Sequence, residues 1–357
     1  MLISAYITHK KAEHYSDCQD RFSINPDTKS IALSDGMSQS IFQKYWAEIL
    51  VNTFTSNSEW VPNREAVKEL SPIWRNKVEE NIKVQKSLGN RSVWRAERSL
   101  FDGHSAGATF LGIRFNGLNW EGDVLGDSCL VLVNNNQIKN IYSSEDVEVF
   151  DSYPDFFDSN PQKEGKGVPK NIKGTLEAGD SILMVSDPFS DFLLKNRGTQ
   201  EESKLIDRLL GVNSHKEFVE VVEEWRRKGM HNDDSTLIII KQDGKDSFNF
   251  NPFPDDILKL IEEDKKESNI SQKINNDEDS QNPQSEKEVS QEDESNHSLK
   301  DIKFEEFLSD SFKIELKQIL IKDILGWKDR ALKKEKNQKK LDNYIQEIIN
   351  LIKQKLT

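Results

Sequence analysis

The sequence is poor in the residues that cross-link a chain or anchor it in a membrane. It has 357 residues and only two cysteines, Cys18 and Cys129, whose separation gives neither a disulfide framework nor a zinc-finger spacing. Its six histidines show no paired spacing, which argues against a zinc or non-haem iron centre. No apolar run is long enough to span a membrane, and the N-terminal segment MLISAYITHKK has no secretory signal pattern. These absences predict a soluble cytoplasmic protein.

A basic surface is also missing from the sequence. The chain has 49 Lys and Arg against 62 Asp and Glu, which gives a formal net charge of -13. Because nucleic-acid binders usually carry a basic face, this balance argues against that class of protein. It also argues against a metal-dependent nuclease, although such an enzyme would use clustered acids as well. The excess of acids suits a protein that holds cations.

The composition divides the chain into three parts. Residues 1–243 alternate predicted strands and helices and form the predicted catalytic domain. Residues 244–302 are rich in Ser, Asn, Gln and acids, so they are predicted to be a disordered linker. Residues 303–357 carry apolar residues at helical spacing and predict a small helical segment. The apolar side of that segment either packs within the protein or binds a protein partner.

The first part has the pattern of an α+β fold. Strands are predicted at Leu2–Thr8, Arg21–Ile24, Ile31–Ser34, Ala108–Arg114, Asn119–Leu125, Cys129–Asn134, Gln137–Tyr142, Ser181–Ser186 and Thr236–Lys241. Helices are predicted at Phe42–Thr55, Arg64–Leu88, Glu201–Leu210 and Lys216–Lys228. Several strands follow one another between residues 105 and 142 with no helix between them, which indicates antiparallel pairing. We therefore expect layered sheets with helices outside.

Aspartates recur where the predicted strands begin or end. They are Asp20, Asp35, Asp127, Asp187, Asp191, Asp233 and Asp234. One acid at such a place is ordinary, and an Asp-Asp pair alone is typical of a turn. Several of them in one domain predict carboxylates gathered at a common edge, where they would bind Mg²⁺ or Mn²⁺. Gly36 follows Asp35 and would let the backbone approach a metal ion closely, so its carbonyl is a further candidate ligand.

Six segments, taken in order, resemble the metal-dependent protein phosphatases of the protein phosphatase 2C type, in their bacterial form. They are CQDRFSI, IALSDGMSQS, GATFLG, GDVLGDSCLVLV, LEAGDSILMVSDPFSDFL and NDDSTLIII, and the resemblance covers about residues 1–242. It implies a serine/threonine phosphatase with a four-layer αββα sandwich of two antiparallel sheets flanked by helices. It also implies two bound Mn²⁺ or Mg²⁺ ions, and a third that is held more weakly.

The resemblance also implies a role for each acid. Asp35 would bridge two ions, a bridging water would attack the phosphorus of phosphoserine or phosphothreonine, and Asp20 would orient metal-bound water. Asp234 falls where relatives often have asparagine, so it is expected to be a hydrogen-bonding neighbour. The metal ligands would be Asp35, the Gly36 carbonyl, Asp187 and Asp233, with Asp127 and Asp191 at the weaker site.

Some positions depart from the family pattern and leave two functions open. Tyr15 stands where relatives commonly have an arginine that grips the substrate phosphate, and Pro188 follows Asp187 where they have glycine. An active phosphatase would act on phosphoproteins, such as a cognate protein kinase or the targets of that kinase. The alternative is a catalytically weak, phosphatase-like module that binds a partner.

The segment 143–174 is rich in aromatic residues, proline and charge. It is either a plain surface loop or the counterpart of a variable flap near the active site of relatives. In the second case the residues expected to contact substrate are Phe156, Phe157, Lys163, Lys166 and Lys170.

Overall fold

The computed structural model of the protein describes residues 1–38, 40–90, 93–144, 154–163, 165–244 and 247–251. The predicted helical segment 303–357 and most of the predicted linker 244–302 lie outside these residues. No helix in the described ranges is both long and apolar enough to cross a membrane.

The described residues form thirteen strands and seven helices. The strands are β1 Leu2–Thr8, β2 Arg21–Asn25, β3 Ser30–Ser34, β4 Gly107–Ala108, β5 Phe110–Asn116, β6 Asn119–Leu125, β7 Cys129–Asn134, β8 Gln137–Tyr142, β9 Phe157–Asp158, β10 Lys170–Thr175, β11 Asp180–Val185, β12 Ser235–Lys241 and β13 Asn249–Phe250. The helices are α1 Gln43–Ser56, α2 Arg64–Lys68, α3 Ser71–Ser87, α4 Val93–Phe101, α5 Asp187–Lys195, α6 Glu202–Leu210 and α7 His215–Arg227.

Two sheets account for most of these strands. The first sheet has the order β13-β1-β12-β11-β7-β8, and the second has the order β10-β6-β5-β3-β2. Neighbouring strands are antiparallel throughout, except that the short β13 runs parallel to β1. β4 and β9 form a small separate ribbon. The antiparallel pairing that was predicted from the run of strands between residues 105 and 142 is confirmed.

The alternation of side chains along the strands separates three apolar layers. On β12, Ile238 and Ile240 point to the core between the two sheets, whereas Leu237 and Ile239 point to the outer face. That outer face of the first sheet packs against α5, α6 and α7. The outer face of the second sheet packs against α1, α3 and α4. The layers are therefore α, β, β and α, and the predicted four-layer class is confirmed.

Several elements differ from the prediction. The single helix expected over Arg64–Leu88 is two helices, with Pro72 in the first turn of α3, where its missing N–H costs no helical hydrogen bond. β10 was not predicted because it is a polar strand at the edge of the second sheet, with only Ile172 buried. α5 was not predicted either, and Pro188 lies in its first turn, where a proline is tolerated.

The folded domain continues into the segment predicted as linker. Phe248 is buried with the core between the sheets, and the backbone N–H of Asn249 donates a 2.8 Å hydrogen bond to the Met1 carbonyl. The Ser4 hydroxyl donates to the Asn251 carbonyl. Residues 247–251 thus pack along β1 as part of the first sheet.

Candidate metal centre

Strand pairing in the first sheet places several strand ends at one edge. Thr8 pairs with Ser235, so the end of β1 lies beside the start of β12. Val185 pairs with Cys129, so the end of β11 lies beside the start of β7. The acids that flank these strand ends are Asp127, Asp187, Asp233 and Asp234.

The second sheet brings two more acids together in the same way. Arg21 pairs with Ser34, so Asp20, just before β2, lies beside Asp35, just after β3. The loop after Asp35 is fixed to Thr109, whose backbone N–H donates to the Asp35 carbonyl at 2.8 Å. The Thr109 hydroxyl in turn accepts from the Asp35 N–H at 3.1 Å.

The carboxylates from the two sheets act on one another electrostatically. Burial is the main cause that raises the pKa of Asp35 well above its usual value, and the charges of Asp20, Asp187, Asp127 and Asp233 raise it further. These five acids are far apart in the sequence, and the two most distant, Asp20 and Asp233, are separated by more than two hundred residues. The structure therefore brings together the acids that the sequence placed at strand ends.

Asp187 has the same kind of environment. Burial raises the pKa of its carboxyl well above the usual value, and the charges of Asp127, Asp233 and Asp20 add to the effect. Its Oδ1 is buried and has no hydrogen-bond partner among the described residues. Such an oxygen is costly to leave without a donor or a cation, so it marks a position where a ligand would bind.

Asp20 is fully buried at the base of the group. Burial and the charge of Asp234 raise its pKa to about 7, although the Thr236 hydroxyl donates a 2.7 Å hydrogen bond to its Oδ2. Its Oδ1 is buried and has no hydrogen-bond partner among the described residues.

These residues fit a hard divalent cation by their donor chemistry. Buried carboxylate oxygens with raised pKa values are stabilised in their charged form by a cation such as Mg²⁺ or Mn²⁺. A Cβ at Gly36 would lie 2.9 Å from Gln43 Cγ and 3.1 Å from the Gln19 carbonyl, so only glycine lets this loop come so close. Within the described ranges, no three carboxylate, imidazole or thiol groups already stand in the arrangement of a metal site.

A lysine that the sequence reasoning missed contacts this group. Lys10 Nζ lies 3.0 Å from Asp233 Oδ1 and 3.1 Å from the Ser38 hydroxyl. Burial alone would lower the pKa of Lys10, but the hydrogen bond to Asp233 and the charges of Asp233 and Asp234 raise it above its usual value. Its place just after β1 is visible in the sequence, but its contact with Asp233 depends on the pairing of β1 with β12.

Asp233 and Asp234 have different environments, as the sequence predicted. Asp234 is 1% exposed, and its carboxylate accepts hydrogen bonds from the Lys10 N–H at 2.9 Å and the Gln19 N–H at 2.7 Å. The side chain of Asp233 is 35% exposed and faces Lys10. Asp234 therefore joins two loops by hydrogen bonds, while Asp233 presents its carboxylate at the surface of the group.

Asp191 lies one helical turn after Asp187 on α5. Its Oδ2 is 2.6 Å from Lys195 Nζ and 3.2 Å from His231 Nε2. The structure thus pairs this predicted ligand with two basic side chains.

The side chain of Tyr15, which stands where relatives commonly have an arginine, does not replace the positive charge of that arginine. Its hydroxyl lies 3.2 Å from His215 Nε2, which is also 2.9 Å from the Ile7 carbonyl. The Tyr15 ring packs edge-on against His9 at 4.7 Å. The side chain is therefore directed into the packing between β1 and α7, and Lys10 is a cation that contacts Asp233 instead.

The segment proposed as a flap is only partly available to a substrate. Phe157 is 3% exposed in the core beneath α1, and its carbonyl accepts a 2.9 Å hydrogen bond from Trp46 Nε1. The expectation that Phe157 contacts substrate is therefore wrong, because β9 ties this residue to β4. Phe156 is half-buried and lines a cavity of about 250 Å³ with Met37 and Lys163.

Comparison with known proteins gives a likeness of fold. No family model matches the chain, and no curated protein is similar to it in sequence. It is similar to the solved structure of PppA, a key regulatory component of T6SS in Pseudomonas aeruginosa, at 15% identity and a TM-score of 0.44, over 67% of this chain and 96% of that one. It is also similar to the structure of the photosystem II phosphatase PBCP, at 12% identity and a TM-score of 0.44, over 68% of this chain and 99% of that one.

A third similar structure is the catalytic domain of the serine/threonine protein phosphatase PstP in complex with two manganese ions. The identity is 14% and the TM-score 0.40, over 66% of this chain and 96% of that one. At these identities the likeness concerns the fold alone.

Proposed function

We propose that the domain is a metal-dependent serine/threonine protein phosphatase that uses Mn²⁺ or Mg²⁺. The observation that carries this proposal is the gathering of Asp20, Asp35, Asp187 and Asp233 at the meeting strand ends, where burial and neighbouring charges raise the pKa values of Asp20, Asp35 and Asp187. Six motifs in family order support the same function. A structural protein gains little from neighbouring acids whose pKa values are raised in this way, because such a group destabilises the fold.

The motifs and the positions of the acids support one assignment of the residues that would hold the ions. The ligands would be Asp35 and the Gly36 carbonyl, after β3, with Asp187 and Asp233 at the strand ends of the first sheet. Asp127 and Asp191 would serve a weaker third site. When bound, the ions would activate a water for in-line attack on phosphorus and neutralise the phosphoryl oxygens.

The remaining side chains have supporting roles in this proposal. Asp20 is held by the Thr236 hydroxyl through Oδ2, which leaves Oδ1 to accept a hydrogen bond from a water and orient it. Lys10, once released from Asp233, carries an ammonium at the mouth of the site that can donate to a phosphoryl oxygen. The chain supplies no cysteine thiolate for a covalent route, since Cys18 and Cys129 are both buried.

The Lys10–Asp233 ion pair also favours a second candidate function. The ammonium already gives Asp233 a positive partner, as a bound metal ion would. In a phosphatase-like module without turnover, Lys10 would balance the acids permanently and the domain would bind a phosphoprotein or a partner without hydrolysing it. The two functions differ in whether Mn²⁺ binds and whether phosphate is released.

Phosphate release from a phosphothreonine peptide in the presence of Mn²⁺ tests the proposal. We expect turnover by the wild type, loss of at least about a hundredfold in Asp187→Asn, and wild-type rates in Asp207→Asn. Asp207 is a matched control because its carboxylate lies on α6 and only accepts a hydrogen bond from Asn136. A wild type that does not bind Mn²⁺ and is as inert as Asp187→Asn would favour the binding module.

A further inference from the structure

A groove of about 570 Å³ opens beside the acidic group. It runs between the loop that precedes β2 and the exposed sides of α1, α3 and α4. The side chains that matter for its chemistry are Glu13, Asp17, Gln19, Gln43, Asn81 and Gln85. The proposed function leaves this groove without a role.

Two residues that line the groove, Gln19 and Gln43, also contact residues of the proposed metal centre or their neighbours. Gln19 precedes Asp20 in the chain, and its backbone N–H donates a 2.7 Å hydrogen bond to the Asp234 carboxylate. Gln43 lies against Gly36, since a Cβ there would come within 2.9 Å of Gln43 Cγ. A phosphorylated side chain at the metal centre would therefore have the neighbouring residues of its own chain in or near the groove.

The groove carries an acceptor that has no donor. Glu13 Oε2 is buried and has no hydrogen-bond partner within the described residues. Asp17 is exposed nearby and adds a second negative charge. The groove also contains the ammonium of Lys44, which donates a 2.6 Å hydrogen bond to the Ser16 carbonyl. A buried carboxylate oxygen without a donor favours a cationic ligand group.

The carboxamide side chains in the groove indicate which kind of ligand carries the cationic group. Gln19, Gln43, Asn81 and Gln85 line the groove, and each amide side chain offers both donors and an acceptor. An extended peptide presents N–H and C=O groups of both kinds along its length, which such amides can satisfy. A compact inorganic cation or a small apolar ligand would leave most of these groups without partners.

We propose that the groove holds the peptide that flanks the phosphorylated residue of a protein substrate, and that Glu13 selects a lysine or arginine in that flank. This inference rests on the proposed phosphatase function, because it places the phosphate at the metal centre. It assigns a substrate class, namely phosphoproteins with a basic residue near the phosphorylation site.

Two phosphothreonine peptides that differ only in their flanks test the proposal with the full-length chain. One has arginines around the phosphothreonine and the other has alanines at the same positions. With Mn²⁺, we expect kcat/KM to be about fivefold or more higher for the arginine peptide. In Glu13→Gln this preference should shrink to near unity, and in Glu121→Gln, a change on the exposed face of β6, it should persist.

Two further measurements separate the possible failures. Hydrolysis of p-nitrophenyl phosphate, which has no flank, should be equal in wild type and Glu13→Gln, and its absence in the wild type would count against the phosphatase function itself. Fluorescence anisotropy of labelled peptides in EDTA measures binding without turnover, so it tests peptide binding by the groove whether or not the domain is a phosphatase. Equal affinity for both peptides, or a preference that survives in Glu13→Gln, would overturn the proposal.

Discussion

Replacing Lys10 with methionine should strengthen the binding of Mn²⁺. The ammonium lies 3.0 Å from Asp233 Oδ1, so a metal ion that uses this oxygen has to displace it. The two side chains are 15% and 35% exposed, so the ion pair is a partly solvated one, worth about 0.5–1 kcal/mol rather than the larger value of a fully buried pair. Removing this competition should tighten Mn²⁺ binding by about two- to fivefold.

Isothermal titration calorimetry of the full-length chain with Mn²⁺ measures this effect. Methionine keeps the aliphatic length of the side chain, and the Lys10 backbone N–H that holds Asp234 is unaffected by the change. Lys139→Met is the control, since Lys139 forms an ion pair with Glu177 outside the proposed metal centre. Unchanged or weaker Mn²⁺ binding by Lys10→Met would refute the assignment of Asp233 as a ligand.

Three other predictions follow from the same site and fold. Asp233→Ala should abolish Mn²⁺-dependent hydrolysis of p-nitrophenyl phosphate, whereas Asp234→Asn should be much milder, because Asp234 only joins two loops by hydrogen bonds; equal loss in both would contradict their separate roles. In EDTA, the thermal unfolding midpoint should fall as the pH rises from about 4 to about 7. The pKa of Asp20 is raised to about 7 in the folded domain, so the folded domain keeps a proton over this pH range that the unfolded chain has lost. Mn²⁺ should remove this dependence, and a midpoint that rises over the same range in EDTA would contradict it. Truncation after residue 251 should preserve both activity and stability, whereas truncation after residue 245 should lower the midpoint by roughly 4–8 °C through the loss of Phe248 from the core, about 2 kcal/mol. Identical midpoints for the two truncations would contradict this role of Phe248.

The fold was predictable where packing and local preference agree. Thr236–Lys241 and Leu2–Thr8 are runs of apolar and β-branched residues, and both are strands. β10 could not be predicted in this way, since its one inward residue, Ile172, gives no pattern. α5 was not predicted because a proline is compatible with a helix only in the first turn, and no local signal showed that a helix begins at Asp187.

The candidate site likewise contains residues that were predictable from the sequence and residues that were not. The acids at strand ends were recognised because their spacing relative to the strands is a local property of the sequence. Lys10 was not, since its role depends on the pairing of β1 with β12, which brings it to Asp233 from more than two hundred residues away. Phe157 was misassigned because its burial depends on the contact of β9 with β4 and α1.

Hydrolysis of p-nitrophenyl phosphate by the wild type and by Asp35→Asn, each titrated with Mn²⁺, tests the central claim most directly. The charges of four other acids raise the pKa of Asp35, so we expect Asp35 to be the most important carboxylate of a metal site that these acids share. We predict Mn²⁺-dependent turnover by the wild type and its loss, by at least about a hundredfold, in Asp35→Asn. Turnover that is equal in the two proteins, or that does not depend on Mn²⁺ or Mg²⁺, would contradict the account.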